Sequence, residues 1–129
     1  MDTENLIKLA TEARENAYAP YSNFKVGAAL VASSGKVFRG CNVENATYGL
    51  TVCAERVALW KALSEGEREF VAIAVVADGE RPPSPCGACR QLLWEFCDDI
   101  KVITANLRGA RQSYHLSELF PHPFDRTSL

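Results

Sequence analysis

Two short cysteine segments restrict what this chain can become more than any other feature. Cys53-Ala-Glu55-Arg56 and Pro85-Cys86-Gly-Ala-Cys89-Arg90 each open a stretch with helical spacing. Cys86 and Cys89 are three apart and so share one helical face. A helix start carries free N–H groups and partial positive charge, which favour thiolate over thiol. Two such starts can serve one purpose only in a fold that makes them converge.

The rest of the chain supplies a framework for that. Leu6, Ala10, Ala13 and Ala17 recur at helical spacing, so residues 3–17 read as an amphipathic helix with Thr3 as its N-cap. Pro20 ends it and residues 19–23 are loop. Residues 25–32 and 36–41 read as a hairpin about Ser33-Ser34-Gly35. Residues 42–51 are irregular. A helix is expected over 52–63, with Ala54, Val57, Ala58 and Trp60 facing inward. Phe70 to Ala77 is uninterruptedly apolar and reads as a central strand covered on both faces. Residues 78–84 are loop, and Pro85 suits the first position of a helix running to about Phe96. A strand over 101–105, a turn, a short strand over 111–115 and a helical turn over 117–120 complete the chain. Strand, helix, strand over 70–105 predicts parallel pairing with a right-handed crossover. The expected architecture is a single α/β domain over residues 1–129: a three-layer α/β/α sandwich about a mixed, five-stranded sheet.

Five cysteines, an odd number, with no secretory signature at Met1–Asn5, argue against a disulfide framework and for metal or redox chemistry. Three thiolates from Cys53, Cys86 and Cys89 would fill three positions of a tetrahedral Zn²⁺, leaving one for water, as in a catalytic site. Cys41 and Cys97 sit in apolar or strand-like surroundings and read as small hydrophobes. His115 and His122 lack metal-like spacing with the cysteines. Glu55 stands about 200° around an ideal helix from Cys53. The two can share a site only if Cys53 belongs to the first turn and Glu55 reaches back beside the metal. Zinc with three thiolates carries a net charge of −1; Arg56 can donate hydrogen bonds to the sulfurs and draw that charge off. Asn42 and Glu44 alternate at a strand end, so both can point one way toward hydroxyl groups.

Charge narrows the partner. The net charge is −2 and no Lys/Arg run exists, so a polynucleotide substrate is not expected. The apolar run at 70–77 is too short to span a bilayer, so no membrane partner is expected. A small molecule fits best.

At these residues the sequence resembles the cytidine deaminase family. The resemblance extends beyond the metal motif to Tyr18-Ala-Pro-Tyr-Ser-Asn-Phe24-Lys-Val-Gly-Ala-Ala-Leu30, Gly40-Cys-Asn42-Val-Glu44-Asn45-Ala-Thr-Tyr48 and Ser84-Pro-Cys86-Gly-Ala-Cys89-Arg-Gln91, in family order up to about Phe124. It looks like the short, homotetrameric, three-cysteine branch. It implies one Zn²⁺ per subunit on Cys53, Cys86 and Cys89, and Glu55 as proton shuttle. It implies ribose contacts from Asn42, Val43 and Glu44, Phe24 packed on the nucleoside, and Phe124 reaching a neighbouring subunit's site. The implied reaction is hydrolytic deamination of cytidine and deoxycytidine to uridine and deoxyuridine, a cytoplasmic step of pyrimidine salvage. After Phe124 the chain is short, and Pro123 departs from the family pattern. Three alternatives stay open on residues alone: a deaminase of a cytosine-containing antibiotic nucleoside, a structural zinc module with a fourth protein ligand, and a dithiol oxidoreductase using Cys86 and Cys89.

Overall fold

The structure, a computed structural model, describes all of residues 1–129. Helix α1 spans Thr3–Arg14 and buries Leu6, Ile7, Ala10 and Ala13. Its N-cap is Asp2, not Thr3: the Asp2 carboxylate accepts from Asn5 N at 2.8 Å. An ionised carboxylate beside the positive helix end is a stronger cap than a hydroxyl. The helix also stops three residues short of Ala17. Residues 15–17 continue as turns, and the chain leaves for the sheet as Tyr18 N donates to Asn42 O.

Strands β1 (Val26–Ala32) and β2 (Val37–Cys41) form the expected hairpin. Helix α2 follows at Ala54–Ser64, then β3 at Phe70–Ala77, helix α3 at Gly87–Cys97, β4 at Lys101–Ala105, β5 at Arg111–His115 and the single-turn helix α4 at Leu116–Leu119. The five strands form one mixed sheet in the order β2-β1-β3-β4-β5. β3 and β4 are its parallel pair, joined across α3 as the strand–helix–strand pattern required; the other pairs are antiparallel. The run at 70–77 is central, as expected, though its first two residues are not fully covered: Phe70 is half-buried and Val71 exposed.

Two apolar layers flank the sheet. On one face α1 packs Leu6, Ile7 and Ala10 against Ala29, Val31, Ala74, Val76 and Ile103. On the other, Ala58, Leu59, Ala62 and Leu93 from α2 and α3 meet Leu30, Ile73, Val75 and Val102. Alternating side chains of the same strands feed both layers, which is why β1 and β3 are apolar at nearly every position.

Gly40 decides how closely α2 lies on the sheet. A Cβ there would fall 2.5 Å from Ala54 O and 2.6 Å from Ala58 N. The helix backbone therefore rests directly on β2. The buried stripe of α2 is Ala54, Glu55, Ala58, Leu59 and Ala62. Trp60, expected inside, lies about 140° round the helix from Glu55. It is exposed and stacks edge-to-face on Phe96 of α3, at 6.0 Å between ring centroids. Val57 is only half-buried. Ala54 and Ala58 stand where the helix backbone comes closest to Gly40, a spot with no room for a large side chain.

Candidate active site

Helices α2 and α3 begin at the same end of the sheet. Cys53 is the N-cap of α2, with φ −76° and ψ 154°. Cys86 is the N-cap of α3, so Pro85 precedes the cap rather than opening the helix. The Cys86 sulfur accepts from Cys89 N at 3.5 Å, taking the place a Ser or Asp side chain would hold. The sulfurs of Cys53, Cys86 and Cys89 all lie within 4.8 Å of one another, and the Cys53–Cys86 pair is at 4.0 Å. Zinc–sulfur bonds of about 2.3 Å at tetrahedral angles set sulfurs about 3.8 Å apart. The donor set therefore fits zinc in three of its four positions. Cys41 and Cys97 stand outside this trio, Cys41 half-buried and Cys97 buried. The two histidines also stand outside it.

With Cys53 at the cap, the condition on Glu55 is met. Its side chain is buried on the stripe of α2 that faces the sheet, beside the sulfurs. Its carboxyl pKa is raised to about 7, chiefly by burial, with the Cys53 negative charge adding to it. Among the thiols, Cys53 gives up its proton first. It accepts a hydrogen bond from the Cys89 thiol, and the Arg56 guanidinium supports its charge. That same bond, together with burial, pushes the Cys89 thiol up. Arg56 Nη2 donates to Cys53 Sγ at 3.5 Å, the contact expected of a charge-offsetting residue, while its buried Nε has no partner.

A cavity of about 260 Å³ opens over this floor. Cys53, Glu55 and Cys86 line it together with Phe24, Asn42 and Glu44. A second hollow, bordered by Tyr21 and Tyr48, adjoins it through Ser22, Glu44 and Thr51. The Glu44 carboxyl is held below the usual carboxylate range, mainly by the Ser22 hydroxyl. It accepts from that hydroxyl, from Tyr21 N at 2.9 Å and from Ser22 N at 3.1 Å. Asn42 is buried and already engaged: Nδ2 donates to Phe24 O at 2.8 Å and Oδ1 accepts from Val26 N at 2.9 Å. One N–H and one acceptor site of the amide stay free for a ligand. Asn42 thus also fixes the backbone beside Phe24. Asn23, with φ 57°, makes the left-handed bend that precedes it.

Val43 and Phe124 do not line this chain's cavity. The Val43 backbone pairs with Val52, which does line it. Phe124 is 62% exposed. The sequence reading missed Ser22, which joins Glu44 to Phe24 N, and Ser84, which lines the cavity. Ser22 lies 22 residues from Glu44, and no local spacing announces such a bond.

A three-layer α/β/α fold that brings three thiols and a buried carboxyl together at two helix starts, under a cavity, defines a metal-dependent hydrolase of the zinc deaminase class. Comparison with known proteins makes this particular. Residues 1–105 match the family described as "Cytidine and deoxycytidylate deaminase zinc-binding region", and the chain belongs to that family. It is 60% identical over 125 residues to a cytidine deaminase of Halalkalibacterium halodurans, covering 96% of this chain and 95% of that one. The crystal structure of a cytidine deaminase from Burkholderia pseudomallei superposes with a TM-score of 0.94 at 53% identity, covering 96% of this chain and all of that one. A blasticidin-S deaminase of Bacillus cereus is 30% identical over 129 residues, covering 94% of this chain and 91% of that one.

Proposed function

We propose that this enzyme hydrolyses cytidine and deoxycytidine to uridine and deoxyuridine, releasing ammonia. The observation that carries the reading is the meeting of the sulfur trio and the buried Glu55 beside a cavity that Cys53, Glu55 and Cys86 line together with Phe24, Asn42 and Glu44. Cys53, Cys86 and Cys89 hold one Zn²⁺ per chain, and residues 1–129 act as one catalytic domain. Bound zinc supplies Lewis-acid activation of the attacking water.

The protein's own groups do the rest. Glu55 has a pKa near neutrality, so one carboxyl can both take and give protons. It takes a proton from the water that adds at C4 of the cytosine ring and passes it to N3, then takes the second from the resulting C4 hydroxyl and passes it to the departing amine. Water is consumed, the C4–N bond breaks and ammonia leaves. Arg56, donating to Cys53, offsets the net charge of −1 that three thiolates leave on Zn²⁺. Phe24 stacks on the nucleoside. Asn42 and Glu44 receive the ribose hydroxyls through the capacity their structural bonds leave free, and Val43 contributes backbone between them.

The assembly is a homotetramer in which the exposed Phe124 completes a neighbour's site. No helix of the structure is long and apolar enough to cross a membrane. The five free thiols suit a reducing cytoplasm, and the role is pyrimidine salvage.

Deamination of an antibiotic nucleoside is the second reading, favoured by the similarity to blasticidin-S deaminase. The test is ammonia release from cytidine, deoxycytidine, free cytosine and blasticidin S by protein of measured zinc content. Turnover of the antibiotic alone would overturn the first reading.

A further inference from the structure

The segment between β3 and α3 carries one metal-ligating thiol and one wall of the cavity; Asn106 holds its first half, donating to Gly79 O at 2.8 Å and Glu80 O at 3.2 Å, but its second half has little to hold it. Pro83 and Pro85 lack backbone donors. Pro83, Ser84 and Cys86 line the cavity. Every hydrogen bond that Ser84 and Pro85 make runs to one side chain, that of Arg90: Nη2 donates to Ser84 Oγ at 2.6 Å and Nε to Pro85 O at 2.7 Å. The third arm of the same guanidinium, Nη1, donates to Leu119 O at 2.5 Å, at the end of α4.

We propose that Arg90 is a positioning residue for the reaction: it fixes the Ser84–Cys86 segment by tying it to the C-terminal segment of the chain. Three observations converge on this. Arg90 is rigidly placed relative to the thiols, because its N donates to Cys86 O in the first turn of α3 at 2.9 Å. Its three nitrogens are each spent on a different acceptor in two separate stretches of chain, a fork that a single ammonium cannot reproduce. And α3 continues the docking beyond it: Gln91 Nε2 donates to Phe124 O at 2.8 Å, Trp94 Nε1 donates to Asp125 Oδ2 at 2.8 Å, and the Trp94 ring meets Phe120 edge-on at 6.5 Å. The helix that presents Cys86 and Cys89 is thus also the seat of residues 119–125. Arg90 hydrogen-bonds to both the seat and the cavity wall.

The proposal rests on the sulfur trio being a zinc site, and its test keeps the two apart. Wild-type, Arg90→Gln, Arg90→Lys, Ser84→Ala and the Arg90→Gln/Ser84→Ala double variant are compared by zinc release to a colorimetric chelator, by kcat and KM on cytidine, and by thermal melting. Removing a residue that orients metal ligands typically costs about 10–100-fold in affinity or activity. Arg90→Gln is therefore expected to speed zinc release and lower kcat, each by about 10-fold or more. Arg90→Lys keeps the charge but loses the fork and should recover only part of this. Ser84→Ala should give a smaller change, and it should add nothing in the Arg90→Gln background, where that bond is already gone. A merely structural role would lower the melting temperature and leave zinc release and kcat of the folded protein at wild-type values. That result in Arg90→Gln and Ser84→Ala overturns the proposal. So does full rescue by Arg90→Lys, which would make charge alone the cause. If Arg90→Gln does not fold, wild-type zinc release and kcat in both Arg90→Lys and Ser84→Ala overturn it equally. Wild-type protein that binds no zinc would instead remove the reading beneath it.

Discussion

Gly40→Ala tests the claim that the seat of α2 on β2 sets the geometry of the site. The added Cβ would stand 2.5 Å from Ala54 O, 2.6 Å from Ala58 N and 3.1 Å from Val57 Cβ. The first two are backbone atoms of one helix, so no side-chain rotation relieves them. Ordinary contact begins at 3.4 Å, so α2 must retreat by about 0.9 Å, or β2 must bend by as much. Overpacking of this kind typically costs about 1–3 kcal/mol. The first turn of α2 would move with the helix, carrying Cys53 at its cap and Glu55 in its buried stripe. A displacement of about 1 Å at reacting groups can cost about 10²-fold in rate. Gly40→Ala should therefore melt lower and lose about two orders of magnitude in kcat/KM, with weakened zinc retention. Gly35→Ala is the control: Gly35 has φ 93° in the β1–β2 turn and nothing within 4 Å of the would-be Cβ. An alanine forced into the left-handed region destabilises by about 1 kcal/mol or more, but here far from α2. Thermal melts, zinc analysis and ammonia release on both variants separate stability from geometry. A Gly40→Ala enzyme with wild-type kcat and zinc content would refute the reasoning, as would equal loss of activity in Gly35→Ala.

Glu55→Gln keeps the shape of the carboxyl but cannot shuttle protons; it should retain zinc and lose ~10²–10⁴ or more in kcat, and near-normal ammonia release would remove Glu55 from the mechanism. Glu44→Ala should weaken cytidine far more than free cytosine, by about 1.5–3 kcal/mol for a lost charged hydrogen bond, whereas equal losses on both substrates would show that Glu44 does not read the sugar. Phe124→Ala should reduce activity without releasing zinc, and sedimentation should show a tetramer; a fully active monomer would end the shared-site picture. Stripping the metal should expose Cys53 and Cys86 to a thiol reagent while Cys97 stays unlabelled until unfolding, because burial, with Asp98 adding, pushes its thiol up to about 12 and keeps it protonated. Fast labelling of Cys97 in the folded protein would contradict its buried, neutral state.

Much of this protein is legible in its sequence because many of its signals are local. The hairpin at Ser33-Ser34-Gly35, the apolar run of β3 and the strand–helix–strand order through β4 each follow from patterning within a few residues. The cysteine segments name the candidate ligands because cysteine at two helix starts has few other uses. What the sequence could not fix were competitions and distances. Asp2 displaced Thr3 as the cap of α1, since both were in reach and the carboxylate binds the helix end more strongly. Trp60 lost its expected place inside because Gly40 lets α2 lie with its backbone on β2, and the face turned to the sheet there carries Ala54, Glu55, Ala58, Leu59 and Ala62.

The site divides the same way. Residue types at 53, 55, 56, 86 and 89 were determined by sequence, but their meeting was not. It depends on Cys53 and Cys86 standing at caps rather than inside helices, and on both helices starting at one end of a sheet. The bonds that hold the cavity walls cross long stretches of chain: Ser22 to Glu44, Asn42 to Phe24, Arg90 to Leu119. Periodicity reports what a residue does within one helix or strand. A hydrogen bond between segments 18 to 29 residues apart leaves no such mark, and only the packed tertiary structure decides which donor finds which acceptor.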